Sequence, residues 1–253
     1  MTKKVSILGC GWLGKALAET LISENYTVKG STTKTENLTN LYDLGISPFI
    51  VNVETDWFDT EFLSTDILVI AITSKQILGF KKLISFIEKS NVKKVIFISS
   101  TSVYNTNNST ITEETETNGT QLAQIEELFI NATNFKTTIL RFGGLFGYDR
   151  QPGYFFKSGK PISNPEGYIN FIHRDDCINI IKNTIEQDVF GYVFNACADS
   201  HPTRREFYTK MFKKIGRPEP TFSKHDEPQF KIISNEHVKI KLGFTFIYAD
   251  LMV

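Results

Sequence analysis

Val5-Ser-Ile-Leu-Gly9-Cys-Gly11-Trp-Leu-Gly14-Lys-Ala-Leu-Ala-Glu-Thr-Leu-Ile22 is an apolar run, then G-x-G-x-x-G, then an amphipathic stretch at helical spacing. Each glycine has a separate physical task in such a turn. Gly9 permits the sharp change from strand to helix. Gly11 has no β-carbon, so a pyrophosphate can approach the backbone, and Gly14 lets the helix lie close to the strand. The N–H groups and the dipole at the helix start favour the negative charge of phosphates. The segment reads as a dinucleotide-binding turn.

Outward from it, strand-like and helix-like stretches alternate. Strands are expected at 5–9, 26–31, 48–53, 66–72, 94–99 and 137–141, and helices at 13–23, 35–44, 75–90 and 121–132. The first, fourth and fifth strands are continuous apolar runs, such as Ile67-Leu-Val-Ile-Ala-Ile72. Such runs are expected when helices cover both faces of a parallel sheet. The pattern predicts an α/β fold with a doubly wound, mostly parallel sheet in the order 3-2-1-4-5-6. Right-handed crossovers would then place the C-terminal strand ends, and the ligand crevice, along one edge. Beyond residue 147 Gly, Pro, Asn and Lys become common. The expected organisation is a Rossmann domain over 1–147 and a small C-terminal substrate lobe over 148–253. That lobe should carry helices at 176–186 and 204–215, a strand at 192–195 and an irregular tail.

Lys+Arg and Asp+Glu both number 28, so electrostatic attraction to nucleic acid is not supported. No apolar run is long enough to cross a bilayer as a helix. Met1-Thr-Lys-Lys leads directly into the first strand, and Cys10, Cys177 and Cys197 have neither paired nor metal-ligand spacing. A cytoplasmic protein with reduced thiols is expected. Amides near Cys10 could lower its pKa, but the favoured reading is a small residue that simply fits. His201, His225 and His237 lack metal spacing, so no metal site is expected.

NAD-specific sites place an acidic residue at the end of the second strand. Here Lys29-Gly-Ser-Thr32-Thr33-Lys34 offers hydroxyls and a cation, with no carboxylate before Glu36. Thr32, Thr33 and Lys34 suit a 2′-phosphate, so NADP is favoured, with NAD as the alternative. The competing reading has Thr33 or Thr35 capping a solvated helix. Asn52, ending the third strand, stands where it could hydrogen-bond the adenine. The cofactor set also takes in Trp12 and Leu13 of the glycine turn and Ala71, Ile72 and Thr73 after the fourth strand. Ser99, Phe142 and Gly144, after the fifth and sixth strands, complete it.

Several further blocks fall in a consistent order. Phe97-Ile-Ser-Ser100-Thr-Ser-Val103-Tyr104 follows the fifth strand, Arg141-Phe-Gly-Gly-Leu-Phe-Gly147 follows the sixth, and His173-Arg-Asp-Asp176 opens a helix. With the glycine turn, these resemble the extended short-chain dehydrogenase/reductases that act as nucleotide-sugar epimerases and dehydratases. The match spans residues 5–195, and G-C-G-W-L-G and N-F-I-H-R-D-D most resemble the small YeeZ-like branch. The resemblance implies a small-molecule substrate of nucleotide-sugar type, no membrane partner, and a monomer or homodimer. It implies that Ser100 is the catalytic serine, which hydrogen-bonds the reacting oxygen.

The family's Y-x-x-x-K pair is missing. Aligned on Glu126, its tyrosine falls on Asn118 and its lysine on Leu122, neither of which can supply a tuned acid/base. Ser100 could instead satisfy local backbone groups. Tyr104 and Tyr148 are candidate replacement acids, with Tyr104 better read as a packed aromatic. His173 could donate a proton. The favoured reading has Asp175 or Asp176 capping the following helix while His173 ties that helix start to a neighbouring loop. Two functions are therefore carried forward. One is an NADP-dependent oxidoreductase or epimerase, and the other is a non-catalytic dinucleotide-binding sensor.

Overall fold

The structure is a computed structural model that describes residues 3–55, 59–157, 159–224 and 227–253. In chain order it contains β1 (Lys4–Leu8), α1 (Trp12–Ser23), β2 (Thr27–Thr32), α2 (Leu38–Asp43), β3 (Ser47–Ile50) and β4 (Ile67–Ile70). Then follow α3 (Ile77–Glu88), β5 (Lys94–Ser100), β6 (Ser109–Ile111), α4 (Gln121–Ile130), β7 (Lys136–Phe142) and β8 (Gly144–Phe146). The chain continues with β9 (Phe171–His173), α5 (Arg174–Glu186), β10 (Val193–Ala196), α6 (Arg204–Lys214), β11 (Lys231–Ile233) and α7 (Glu236–Leu242).

The chain forms two compact units that interleave. Residues 1–99, 119–140 and 178–193 make the first, and residues 100–118, 141–177 and 194–253 the second. A cut at 147 would place 100–118 and 141–147 with the first unit and 178–193 with the second. In the structure each of these belongs to the other unit.

The main sheet has the order β10-β7-β5-β4-β1-β2-β3. This is the expected 3-2-1-4-5-6 order with a seventh strand, β10, added beside β7. The pairs β1–β2, β1–β4, β2–β3 and β4–β5 are all parallel. All four residues of β4 are buried, which explains its unbroken apolar sequence. The first unit's core joins Leu8, Leu68, Ile70 and Phe97 of the sheet to Phe80, Leu83 and Ile87 of α3 and Ile125 and Phe129 of α4. Phe97 and Phe129 stack at 4.9 Å between centroids, and Phe80 meets Phe97 edge-on at 5.8 Å. Each buried phenylalanine contributes about 1.5–3 kcal/mol of burial, and each ring pair about 0.5–1.5 kcal/mol more.

The second unit rests on short parallel pairs, β6 with β11 and β8 with β9. Its α6 begins with a capping box in which the Thr203 hydroxyl and the Glu206 carboxylate exchange bonds with each other's backbone N–H groups. Phe207, Tyr208, Met211 and Phe212 of that helix pack with Ile162, Ile169 and Leu251. The tail is less irregular than expected, since β11 and α7 lie in it. Gly243, in the left-handed conformation at φ +57°, ends α7.

Candidate cofactor site

The first unit holds a groove of about 490 Å³ at the glycine turn, lined from the β1, β2, β3 and β4 ends. Its lining includes Gly9, Gly11, Thr32, Thr33, Lys34, Asn52, Ala71, Ile72 and Thr73, so nine of the expected cofactor residues meet there. Gly9 has φ +100°, and a β-carbon on it would sit 2.7 Å from the Ala71 carbonyl oxygen. A β-carbon on Gly14 would collide with the Gly9 carbonyl oxygen. At Gly11 the same β-carbon would meet nothing within 4 Å. The absent side chain leaves the groove open there, as a phosphate cradle requires. Gly11 is also the N-cap of α1, which has no side-chain cap bond and no acidic residue in its first turn. That leaves the positive end of the helix to an external anion. The turn itself is pinned to β2. The Gly9 N–H donates to Ser31 Oγ at 3.0 Å and the Cys10 N–H to the Ser31 carbonyl at 2.8 Å.

Cys10 is a packed thiol, as the favoured reading has it. Its side chain packs where a β-carbon on Gly30 would meet Cys10 Sγ at 2.5 Å. Burial pushes this thiol up to about 12, against the smaller opposing effect of a Ser31 backbone hydrogen bond. The amides do not activate it.

Thr32 Oγ1 accepts from the Lys34 N–H at 3.2 Å and from Asn37 Nδ2 at 3.3 Å, which fixes the turn after β2. The Lys34 ammonium is exposed and stands 3.7 Å from Glu36. Neither Thr33 nor Thr35 caps a helix. A 3₁₀ turn begins at Thr35 with Lys34 at its N-cap and no side-chain cap bond. Asn52 Oδ1 accepts from the Glu54 N–H at 3.0 Å, and the Ser74 hydroxyl donates to Glu54 at 2.9 Å. Asn37, Glu54 and Ser74 line the groove without having been anticipated. Glu54 and Ser74 follow the ends of β3 and β4, so strand-end topology could have flagged them. Trp12, Leu13, Gly14, Ser99, Phe142 and Gly144 are not among the lining residues. Leu13 and Gly14 are buried in α1, and Ser99 is buried in the first unit. Phe142 and Gly144 belong to the second unit, where a β-carbon on Gly144 would collide with the Phe171 ring.

The serine loop lies in the second unit. Ser100 Oγ accepts from the Ser102 N–H at 3.1 Å and caps the 3₁₀ turn Thr101–Val103. Asn118 closes the loop from outside, its Nδ2 donating to the Ser102 carbonyl at 2.9 Å and its N–H to the Val103 carbonyl at 2.7 Å. Lys231 Nζ donates to the Thr101 and Tyr104 carbonyls at 2.8 and 2.7 Å, and burial lowers its pKa. The Tyr104 hydroxyl donates to Asn195 Oδ1 at 2.9 Å and accepts from Arg141. Burial raises the Tyr104 pKa and the neighbouring Arg141 opposes it, which suits the packed aromatic rather than an acid. Leu122 packs on the first unit's core.

The α5 start differs in detail from expectation. His173 itself serves the helix, with Nδ1 accepting the Asp175 N–H at 3.3 Å. The tie to a neighbouring segment comes from Asp176, whose carboxylate accepts the Ile247 and Tyr248 N–H groups at 2.8 and 3.1 Å. Desolvation lowers the His173 pKa. The Tyr148 hydroxyl donates to Asp175 in the second unit. Among the described residues no cluster could hold a metal ion, and His225 lies outside them. No helix among those residues is long and apolar enough to cross a membrane.

Residues 9–185 match the family model described as NAD(P)H-binding. Protein YeeZ of Escherichia coli strain K12 is 31% identical in an alignment covering 99% of this chain and 98% of that protein. Three solved structures share the fold at lower identity. A short-chain dehydrogenase/reductase superfamily protein from Agrobacterium tumefaciens with bound NAD superposes with a TM-score of 0.80 at 17% identity, covering 98% of this chain and 94% of that one. UDP-glucose 4-epimerase from Thermotoga maritima, with UDP-glucose, gives 0.77 at 18%, covering 98% and 96%. A human epimerase family protein with NADPH gives 0.73 at 14%, covering 98% and 96%. With the glycine turn, the strand order and a family match over most of its length, this chain belongs to the NAD(P)H-binding family, as a full-length relative of YeeZ with the short-chain dehydrogenase/reductase fold.

Proposed function

We propose that the groove of the first unit binds NADP(H) and that the protein acts on a nucleotide sugar or related carbonyl/alcohol substrate in the cytoplasm. The observation that carries the reading is the open β-carbon position at Gly11 beside the uncapped start of α1. The residues there fit a dinucleotide. Gly9, Gly11 and the first-turn backbone of Trp12, Leu13 and Gly14 would receive the pyrophosphate. Thr32, Thr33 and Lys34 would receive the 2′-phosphate, Asn52 the adenine, and Ala71, Ile72 and Thr73 the groove wall beyond the glycine turn. Ser99, Phe142 and Gly144 remain candidates for the nicotinamide side. When bound, the cofactor supplies hydride transfer. Ser100 would orient the reacting oxygen once its Oγ hydrogen turns away from the bond accepted from Ser102, because a hydroxyl both donates and accepts.

A second reading, a dinucleotide-binding sensor without turnover, draws on a different observation. Asn118 and Leu122 occupy the positions of the family's tyrosine and lysine. The first is bonded to the loop backbone and the second is packed on a core. Loss of a tuned proton donor removes about 10²–10⁴-fold in rate. A single-turnover test separates the readings: excess protein with NADPH and a panel of keto-sugar nucleotides, followed by the absorbance of the reduced nicotinamide. Slow oxidation that vanishes in Gly11→Val supports the enzyme. NADPH that binds and stays reduced throughout the panel supports the sensor.

A further inference from the structure

We propose that Pro228–Ile233 is a strap that lifts off the second unit without unfolding it, and that Lys231 on this strap is a positioning residue for the serine loop. The chemistry of that loop rests on the enzyme reading above, in which Ser100 orients the reacting oxygen; the hold on the loop does not. Lys231 Nζ donates to the Thr101 carbonyl at 2.8 Å and to the Tyr104 carbonyl at 2.7 Å. One ammonium thus bridges the two ends of the 3₁₀ turn Thr101–Val103, whose N-cap is Ser100 and whose C-cap is Tyr104. Every residue in this arrangement belongs to the second unit.

The strap is held by side-chain amides. Asn108 Oδ1 accepts the Phe230 N–H at 2.8 Å, and its Nδ2 donates to the Pro228 carbonyl at 3.3 Å. Asn164 serves Gln229 in the same way, accepting its N–H at 3.2 Å and donating to its carbonyl. Asn170 donates to the Lys231 carbonyl at 2.8 Å and accepts the Ile233 N–H at 2.9 Å. Three asparagines therefore bond the backbone of one short segment, as a neighbouring strand would. The rest of the hold is a backbone ladder. In it β11 pairs in parallel with β6 alone, Lys231 opposite Ser109 and Ile233 opposite Ile111. A ladder of two short strands is marginal by itself.

Little apolar burial supports these bonds. Pro228 and Gln229 are exposed, Phe230, Lys231 and Ile232 are partly buried, and only Ile233 in the strap is buried. Phe230 meets the ring of Tyr168 edge-on at 5.0 Å, and Tyr168 is itself exposed. Helix α6 of the same unit is the contrast, with Phe207, Tyr208, Met211 and Phe212 all buried. Segments with few buried apolar contacts open at a fraction of the free energy of global unfolding. The strap should therefore lift over 228–232 and pivot on Ile233, and Lys231 leaves the Thr101 and Tyr104 carbonyls as it goes. Asn118 still bonds the Ser102 and Val103 carbonyls, so the turn under Ser100 loosens at its ends and does not unfold.

The test is amide hydrogen exchange of the full chain, resolved by NMR and made without coenzyme. Gln229, Phe230 and Asn108, whose N–H bonds the Phe230 carbonyl, should exchange together and about 10²-fold faster than the interior of α6. Lys231→Met keeps the length of the side chain and removes the ammonium. It should speed exchange at Ser102 and Tyr104 by about tenfold and leave α6 unchanged. Lys231→Arg, which keeps charged donors there, should retain most of the protection. If Lys231→Met does not fold, Asn108→Ala decides, since freeing the strap should speed Gln229, Phe230 and the loop by a similar factor. Strap amides as slow as α6, no acceleration at Ser102 and Tyr104, or an acceleration that spreads equally to α6 overturns the proposal. Protection lost equally in Lys231→Arg assigns the effect to packing and overturns the positioning role. None of these results bears on coenzyme binding, which NADPH titration tests separately.

Discussion

At Gly11 a β-carbon would meet no atom within 4 Å, whereas at Ser100 the side-chain oxygen already accepts a backbone N–H. The first region is defined by what is missing: no side chain, no cap and no acid in the first turn of α1. The second is defined by what is satisfied. Ser100, Asn118 and Lys231 bond the backbone of the loop, and the Tyr104 hydroxyl bonds Asn195 and Arg141. Binding sites need unspent hydrogen-bonding capacity, and structural loops consume it. The glycine turn therefore reads as open to a ligand, and the serine loop as a turn that holds itself together.

The contrast breaks most directly at the glycines. Gly11→Val should keep its melting temperature, because the added side chain enters open space, yet weaken NADPH by about 10²-fold or more by filling the cradle. Gly14→Ala should instead destabilise the fold by about 1–3 kcal/mol, because its β-carbon strikes backbone. Thermal unfolding beside cofactor titration distinguishes them, and a Gly11→Val protein that binds normally removes the assigned geometry.

In the serine loop the larger effect should be on stability. Tyr104→Phe takes the donor from buried Asn195 Oδ1 and an acceptor from Arg141, at a cost of about 1–3 kcal/mol. Urea unfolding should show a lower midpoint with an unchanged slope. A midpoint equal to wild type would mean that the network is not load-carrying.

A smaller effect is expected at the turn after β2. Lys34→Glu should lower NADPH affinity relative to NADH by about tenfold, since it replaces a cation by an acid beside the 2′-phosphate. Parallel titrations with both coenzymes check this, and an unchanged ratio places the phosphate elsewhere.

The smallest effect concerns pH and belongs to the second unit. Burial pushes the His173 and His201 imidazoles below their ordinary value of 6.5. The unfolded chain then takes up protons that the folded chain refuses. Stability is full above that value and declines as pH falls through it toward the depressed folded values. His173→Gln should shallow this decline in denaturant titrations across the range, and an unaltered slope would contradict the assignment.

Much of the first unit was legible because its signals are local. The buried run of β4 and the glycine spacing of the turn each specify geometry within a few residues. The second unit was less legible because its strands are three residues long and find partners far along the chain, as Ser109 does with Lys231. Periodicity does not register in three residues. The partner that packs Cys10 was not legible for a related reason, since its burial depends on the missing side chain of Gly30, twenty residues away on β2. Glu54 and Ser74 entered the groove through a hydrogen bond between two strand-end segments, which spacing alone does not reveal.

The central claim is tested most directly by titrating the wild-type protein with NADPH and following the coenzyme's fluorescence. The account predicts saturable binding of one NADPH per chain. No change in fluorescence up to millimolar coenzyme, with the protein folded, would contradict it.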